Sequence, residues 1–431
     1  CACLVGSEMC IRDRFTSTEA TPAPHVPPGV LRLTGAAKED IPMYRIQTMN
    51  KISPVGLNRF PSELYEVGDA VQDPQGILVR SAKLLDLEFN PSLLAIARAG
   101  VGVNNIPLDR CAAAGIPVFS TPGANANAVK ELVICAMLMG SRDIPGAIRW
   151  VREQAASGVD VSTVVEKGKS AFIGPELYKK TLGIIGLGAI GSIVANTAIS
   201  LGMDVYGYDP FLSVDTALRL DRHVHVVKDI NDLYKRSDYI TMHIHYTEKT
   251  AHMIDADAIA AMKRGVRVIN LARGEIVDDE AMLTALDTGM VAAYITDFPN
   301  NRLLTAPHVI AMPHLGASTP ESEQNCAAMA VDTLRDYLES GNIRSSVNLP
   351  EMTMDRSGVQ RLCVLHKNVP GMLANITSLF GRDGVNVENL SNKSRGDYAY
   401  TMVDLGSKVG DNVIEDVRRT ANVIRVRSLE W

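Results

Sequence analysis

The sequence predicts an α/β protein: two doubly wound parallel-sheet domains followed by a small βαββαβ domain. Three observations predict it. Short β-branched runs alternate with helical patterns from Met43 onward, a glycine-rich turn directly follows one of those runs, and a polar, proline-bearing stretch near residue 350 precedes a segment with a new strand rhythm. The 431 residues leave room for about two or three domains of ~150 residues each. With 46% hydrophobic and 21% charged residues the chain can bury cores, and a wholly disordered one is excluded.

A first series of strands is read at 76–80, 94–98 and 116–119, and a second at 181–185, 204–208, 239–242, 266–270, 292–296 and 309–311. Thr319 and Pro320 then open a long helix, Thr as the cap and Pro at the first helical position. Cys326, Met329, Ala330, Thr333, Leu334, Tyr337 and Leu338 recur at helical spacing, and Gly341 stops the helix. Its single apolar face, coming after the second sheet, implies a return to the first domain. Beyond the polar stretch, strands near 362–365, 385–387, 398–403 and 423–426 and helices near 370–380 and 413–420 complete the βαββαβ pattern. The expected organisation is a first domain over 43–143 and 315–345, a second over 144–314, a linker over 346–358 and a third domain over 359–431. Residues 1–42 mix Cys, Thr, Pro and Gly without periodicity and are expected to be an unstructured or non-native extension.

A net charge of −6 and a pI near 5.9 offer no basic face for general nucleic-acid binding. No apolar run approaches the ~20 residues of a membrane span, and the most apolar helix-like stretch, from Leu132 to Met139, is far shorter. A soluble protein is expected. The seven cysteines are odd in number and form no CxxC pair, which points to a reduced, cytoplasmic setting and to no metal site.

Gly186-Leu187-Gly188-Ala189-Ile190-Gly191 follows the strand at 181–185 and opens a helix. In that context the first Gly permits the tight turn, the second lets the backbone approach a pyrophosphate, and the third lets the helix lie close on the strand. Asp209 closes the next strand 18 residues after Gly191, where a carboxylate accepts hydrogen bonds from ribose hydroxyls and repels a 2′-phosphate, so NAD is the expected cofactor. Two later strand ends supply the reacting groups. A guanidinium, Arg273, grips a carboxylate with two parallel hydrogen bonds, and an imidazole, His314, titrates near neutrality; together they suit a 2-hydroxy or 2-oxo acid. Other histidines, such as His223, His225, His243, His245 and His308, have no such company.

Several distant motifs agree: Val79-Arg80-Ser81, Arg98-Ala99-Gly100-Val101-Gly102-Val103-Asn104-Asn105, Thr121-Pro122-Gly123-Ala124-Asn125, the glycine-rich turn, Ala272-Arg273-Gly274, Thr296-Asp297-Phe298, and Pro313-His314-Leu315-Gly316-Ala317-Ser318-Thr319. In them the chain from about Met43 to Trp431 resembles the D-isomer-specific 2-hydroxyacid dehydrogenases, in the branch that oxidises a phosphorylated glycerate and carries a C-terminal ACT regulatory domain. The resemblance implies a flavodoxin-like substrate domain and a Rossmann NAD domain. It implies that Arg273 orients the substrate carboxylate, that His314 carries the proton, and that Asp297 holds the nicotinamide carboxamide with Ala272 nearby. Arg80, Ser81 and Asn125 match positions lining the phosphate and substrate pocket.

Two departures stand out. Arg302 occupies the position, five residues after Asp297, where the family has a Glu that orients the histidine, so either the loop is re-registered and another acid such as Glu275 or Glu321 serves, or catalysis proceeds with a weaker acid-base group, or turnover is lost; His245-Tyr246 stands where the family usually has Pro-Leu. In the third domain, His366, Asn368 and Asn386 keep the spacing with which related ACT domains bind the effector L-serine across a subunit interface. The implied function is NAD-dependent oxidation of 3-phospho-D-glycerate (3-phosphoglycerate) to 3-phosphohydroxypyruvate in L-serine biosynthesis, by a serine-regulated homo-oligomer. Alternatives are another D-2-hydroxyacid dehydrogenase, acting on hydroxypyruvate, glyoxylate or 2-oxoglutarate, and an NAD-sensing regulator with weak catalysis.

Overall fold

Apolar runs without alternation need cover on both faces, and three of the five strands of the first lobe, over 76–79, 95–98 and 118–119, obtain it. A computed structural model describes residues 43–431; the extension expected over 1–42, with Cys1, Cys3 and Cys10, lies outside the described residues. Strands β1 (Tyr44–Thr48), β2 (Tyr65–Gly68), β3 (Gly76–Val79), β4 (Ala95–Arg98) and β5 (Val118–Phe119) form a parallel sheet in the order β2-β1-β3-β4-β5, with helices α1 (Pro54–Leu57) and α2 (Leu108–Ala113).

The chain then leaves the first sheet in α3 (Ala126–Arg142), followed by α4 (Ile144–Ala156) and α5 (Val161–Gly168). Residues up to 143 were expected in the first domain, but α3 packs on the second sheet. Val133, Ala136 and Met137 share a core with Leu182, Ile184 and Val205, and Arg267 Nε donates to the Gly140 carbonyl at 2.9 Å. The crossover between the lobes therefore lies near Asn125, at the start of α3, because the apolar face of this helix matches the second sheet.

The second sheet holds seven parallel strands: β6 (Thr181–Ile185), β7 (Asp204–Tyr208), β8 (His225–Val227), β9 (Tyr239–Met242), β10 (Val266–Asn270), β11 (Val291–Thr296) and β12 (Val309–Ala311). Helices α6 (Ala189–Ser200), α7 (Val214–Ala217), α8 (Ile230–Arg236), α9 (Ala256–Ala260) and α10 (Asp279–Asp287) connect them. The order β12-β11-β10-β9-β6-β7-β8 reverses direction between β6 and β9, the switch point at which doubly wound sheets bind ligands. Helix α11 (Pro320–Ser340) starts on the Thr319 cap and ends on Gly341 at φ 75°. It returns to the first sheet, where Cys326, Ala330 and Leu334 pack with Ile46, Leu78 and Ala97.

The C-terminal domain is an antiparallel sheet of β13 (Gln360–Lys367), β14 (Val387–Arg395), β15 (Tyr398–Leu405) and β16 (Val423–Glu430), ordered β14-β15-β13-β16. Helices α12 (Met372–Arg382) and α13 (Asp411–Arg419) cover one face with Ile376, Phe380 and Val417. The other face, through Cys363, Leu365, Tyr400 and Met402, joins the core of the first lobe. The linker expected over 346–358 is accordingly a packed strap: Leu349, Met352 and Met354 are buried in that same core, and Met352 bridges Ile343.

Candidate active site

Strands β10, β11 and β12 are neighbours whose register sets Asn270 beside Thr296 and Thr296 beside Ala311, so all three end level. Arg273, Asp297 and His314, each one to three residues past that line, therefore emerge together at the C-terminal edge. In the first lobe, Val79 of β3 stands beside Arg98 of β4, so Arg80 and Arg98 leave the other sheet side by side. Arg273 carries a guanidinium whose Nη1 donates to the Ala272 carbonyl at 2.6 Å. His314 is exposed, its ring 4.7 Å from the Phe298 ring.

Asp297 is 1% exposed, and neither carboxylate oxygen has a hydrogen-bond partner. Burial raises its pKa, with His314, the Gly316 N–H and Arg273 pulling the other way. Arg98 is the residue that sequence reasoning missed as a site member, although its motif was noticed. Burial pulls its pKa below the usual arginine value, Arg273 and Arg80 add to this, and its Nε is buried without a partner. The visible signal was an arginine at the C-terminal end of a buried strand. Arg80 pairs with Glu323 of α11 at 2.6 Å, and the N–H groups of Arg80, Ser81 and Ala82 all point at Asn50 Oδ1. Asn125 sits at the crossover, with Oδ1 buried and unpartnered.

The nucleotide end fits a dinucleotide. Gly186 adopts φ +92°, and a Cβ there would stand 2.6 Å from the His243 carbonyl; a Cβ on Gly191 would meet the Gly186 carbonyl at 1.9 Å. At Gly188 nothing lies within 4 Å, and Ala189 beside it is exposed. No side chain caps α6, which leaves the N–H groups of the turn at Ile190 open to an anion. Asp209, at the end of β7, accepts from Leu187 N and Phe211 N, both at 2.9 Å, which ties the glycine turn to the end of that strand. The orphaned oxygens of Asp297 suit the amide N–H donors of a nicotinamide.

Residues 134–316 match the family of D-isomer specific 2-hydroxyacid dehydrogenases, NAD binding domain. The D-3-phosphoglycerate dehydrogenase of Haemophilus influenzae is 31% identical over 84% of this chain and 88% of its own length. The chain belongs to the D-3-phosphoglycerate dehydrogenase family. The Synechocystis member is 36% identical over 74% of this chain, which spans only 56% of that relative's length. An NAD+-bound 3-phosphoglycerate dehydrogenase structure from Entamoeba histolytica is 26% identical, with a TM-score of 0.55 over 71% of this chain and 99% of that one.

Against that family background, two expected placements change. Arg302 does not face the histidine: it forms an ion pair with Glu280 of α10. Among the described residues no carboxylate, Glu275 and Glu321 included, lies within ion-pair distance of His314. In the C-terminal domain His366 is 2% exposed, with Nδ1 bonded to the Lys367 carbonyl and Nε2 to Thr401 Oγ1, so it has no nitrogen left for an effector. Asn368 and Asn386 are exposed. They flank opposite ends of the sheet, since Lys367 pairs with Tyr398 at one end while Val387 pairs with Leu405, the partner of Gln360, at the other. At ~3.3 Å per residue that separation is about 23 Å. No described helix is long and apolar enough to cross a membrane.

Proposed function

We propose that the chain oxidises 3-phospho-D-glycerate to 3-phosphohydroxypyruvate with NAD, as a cytoplasmic step of L-serine biosynthesis. The observation that carries the reading is the convergence of Arg80, Arg98 and Arg273, from two lobes, beside an exposed histidine and a buried unpartnered carboxylate. A trianionic acid needs this much positive charge, and arginines match both carboxylate and phosphate oxygens. Arg273 holds the carboxylate, Arg80 and Arg98 hold the phosphate with Ser81, and Asn125 lies at the hinge of the cleft. His314 removes the hydroxyl proton as the carbonyl forms, and returns it in the reverse direction. NAD, when bound, supplies the hydride acceptor. Asp297 orients the carboxamide, Asp209 holds the ribose, and the turn from Gly186 to Gly191 faces the pyrophosphate.

Helices α4 and α5 contain no buried residue and expose Ile148 and Val165, which supports a homo-oligomer that covers them. Serine feedback then follows from the same assembly. Asn368 and Asn386 are too far apart to hold one amino acid within a chain, so the effector would bridge two copies, with His366 bracing the Lys367 backbone.

Absorbance at the reduced nicotinamide band, with each acid offered in turn, tests the reading. Reduction of NAD with 3-phosphoglycerate, and a preference for NAD over NADP that Asp209→Ser narrows, is the expected result. Turnover only with hydroxypyruvate, glyoxylate or 2-oxoglutarate would replace the substrate, and cofactor binding without turnover would leave an NAD-sensing protein.

A further inference from the structure

We propose that Phe298 is a positioning residue, an aromatic wall that holds the His314 imidazole and the Arg273 guanidinium in working orientation where no carboxylate of the described residues lies within ion-pair distance of the histidine. The inference rests on the roles proposed above for His314 and Arg273. One ring touches both groups: its centroid is 4.7 Å from the imidazole centroid, with the planes at 55°, and 5.9 Å from Arg273 Cζ. An exposed imidazole without a hydrogen-bonded partner samples several rotamers, and only a fraction of them face a substrate hydroxyl. An aromatic contact shifts that distribution by up to about tenfold. The ring face also attracts a guanidinium, so a single side chain can seat both groups at once.

The segment that carries the wall is itself held in place. Phe298 N donates to Thr296 Oγ1 at 3.1 Å. Gly274, next to Arg273, leaves room for the ring: a Cβ there would stand 3.3 Å from Phe298 Cβ. Downstream, Asn300 Nδ2 donates to Asp279 Oδ2 at 2.7 Å, Asn300 Oδ1 accepts from the N–H groups of Arg302 and Leu303, and Arg302 pairs with Glu280. The charge at residue 302 is thereby used to fix the loop that carries the ring. Support of this kind is what keeps a reacting group within about half an ångström of its productive place.

The test compares Phe298→Leu, Phe298→Tyr and Gly274→Ala in the full chain, reading kcat, KM and thermal melting. Phe298→Leu is expected to lower kcat about tenfold and to raise KM for the acid roughly threefold, since Arg273 loses its seat together with His314, with KM for NAD within about twofold and melting unchanged. Phe298→Tyr keeps the ring and should restore kcat to within about twofold. Gly274→Ala crowds the ring and should lower kcat in the same way. Wild-type kcat in Phe298→Leu, or equal losses in the Leu and Tyr variants, overturns the proposal, as does a loss of kcat that merely tracks a loss of melting temperature. Should Phe298→Leu fail to fold, wild-type kcat in Gly274→Ala overturns it. A His314→Gln control separates the two levels. If that variant turns over normally the reading of His314 falls, whereas an inactive His314→Gln beside an unaffected Phe298→Leu sinks the aromatic wall alone.

Discussion

Arginines gather in two places in this molecule, at the mouth of the cleft between the lobes and at the seam between the C-terminal sheet and α11, and their donors are used in opposite ways. At the seam, Arg361 is fully buried, clasps both oxygens of Asp404 at 2.5 and 2.7 Å, and also donates to the Ser340 and Asp355 carbonyls. Arg427 donates to the carbonyls of Tyr337 and Leu338, and the Tyr400 hydroxyl donates to that of Gly341. These carbonyls lie in the last turn of α11 and at its Gly341 cap, the negative pole of the helix, and that of Tyr337 also accepts from the Gly341 N–H. In the cleft, Arg98 keeps a buried Nε with no partner, Arg273 reaches only the carbonyl next to it, and Arg80 meets one exposed glutamate. Cations whose donors are mostly engaged within the chain hold the fold together, and cations left with open donors are free to take a ligand.

The largest expected effect belongs to the cleft. His314→Ala or Arg273→Ala should lower kcat/KM by about 10²–10⁴-fold without a change in melting temperature, since neither side chain is packed into a core. Steady-state kinetics beside a thermal melt check this, and a parallel fall in stability would erase the contrast between the two clusters. At the seam the effect reverses. Asp404→Ala leaves the Arg361 charge buried and unpaired, which should destabilise by about 3–5 kcal/mol while each folded molecule turns over normally. Denaturant unfolding of that variant, normalised to its activity, is the measurement. Removing the chain beyond Arg356 should be at least as harmful, because it uncovers the core surfaces of Tyr337 and Leu338 that Cys363 and Leu365 now cover.

Much of this was legible in sequence because the second lobe is built from period and punctuation. β6, β7, β9, β10 and β12 and the bounds of α11 follow from β-branched runs, the glycine turn, the Thr319 cap and Gly341. Strands β1, β2 and β8 did not announce themselves, since they are short and half-exposed, with little alternation. The assignment of α3 failed for a different reason: its apolar face says that it packs, but only tertiary structure says on which sheet. The strap at 346–358 misled for a similar reason, because Leu349, Met352 and Met354 are spaced too irregularly to look like core. At the candidate site, strand ends pointed to Arg273 and His314, and the register of β10, β11 and β12 brings them to one edge. The pairing of Arg302 with Glu280 and the burial of His366 depend on neighbours distant in sequence and could not be read from spacing.

A more selective change sharpens the contrast within the cleft. Arg98→Gln should lower kcat/KM for the phosphorylated acid by roughly 10–100-fold, the worth of a charge-assisted hydrogen bond, and affect an unphosphorylated hydroxy acid far less. Stability should not fall, because Arg98 now stands near Arg80 and Arg273 without a partner for its Nε. Equal losses for both acids would move Arg98 from phosphate recognition to the general shape of the cleft.

The smallest effect is expected at Asp297, where the open donors of the cleft meet an open acceptor. Burial raises its pKa, so the fold favours the protonated carboxyl and resists the carboxylate. Stability linked to this group is fully present below the ordinary carboxylate value of about 3.9, is lost as pH rises through the higher midpoint of the folded protein, and stays lost at neutrality. Asp297→Asn removes the penalty. Without cofactor the variant should therefore melt higher than the parent at pH 7, with the advantage vanishing as pH falls below about 4. With NAD present the order should invert, because a carboxylate accepts the carboxamide N–H better than an amide oxygen does, and affinity should fall by about 3–10-fold in the variant. Melting curves across pH, with and without NAD, read both signs in one series. If the variant gains nothing at pH 7 relative to its behaviour in acid, the Asp297 carboxylate already has an adequate partner, and the distinction between engaged charges at the seam and unengaged groups in the cleft fails at this residue.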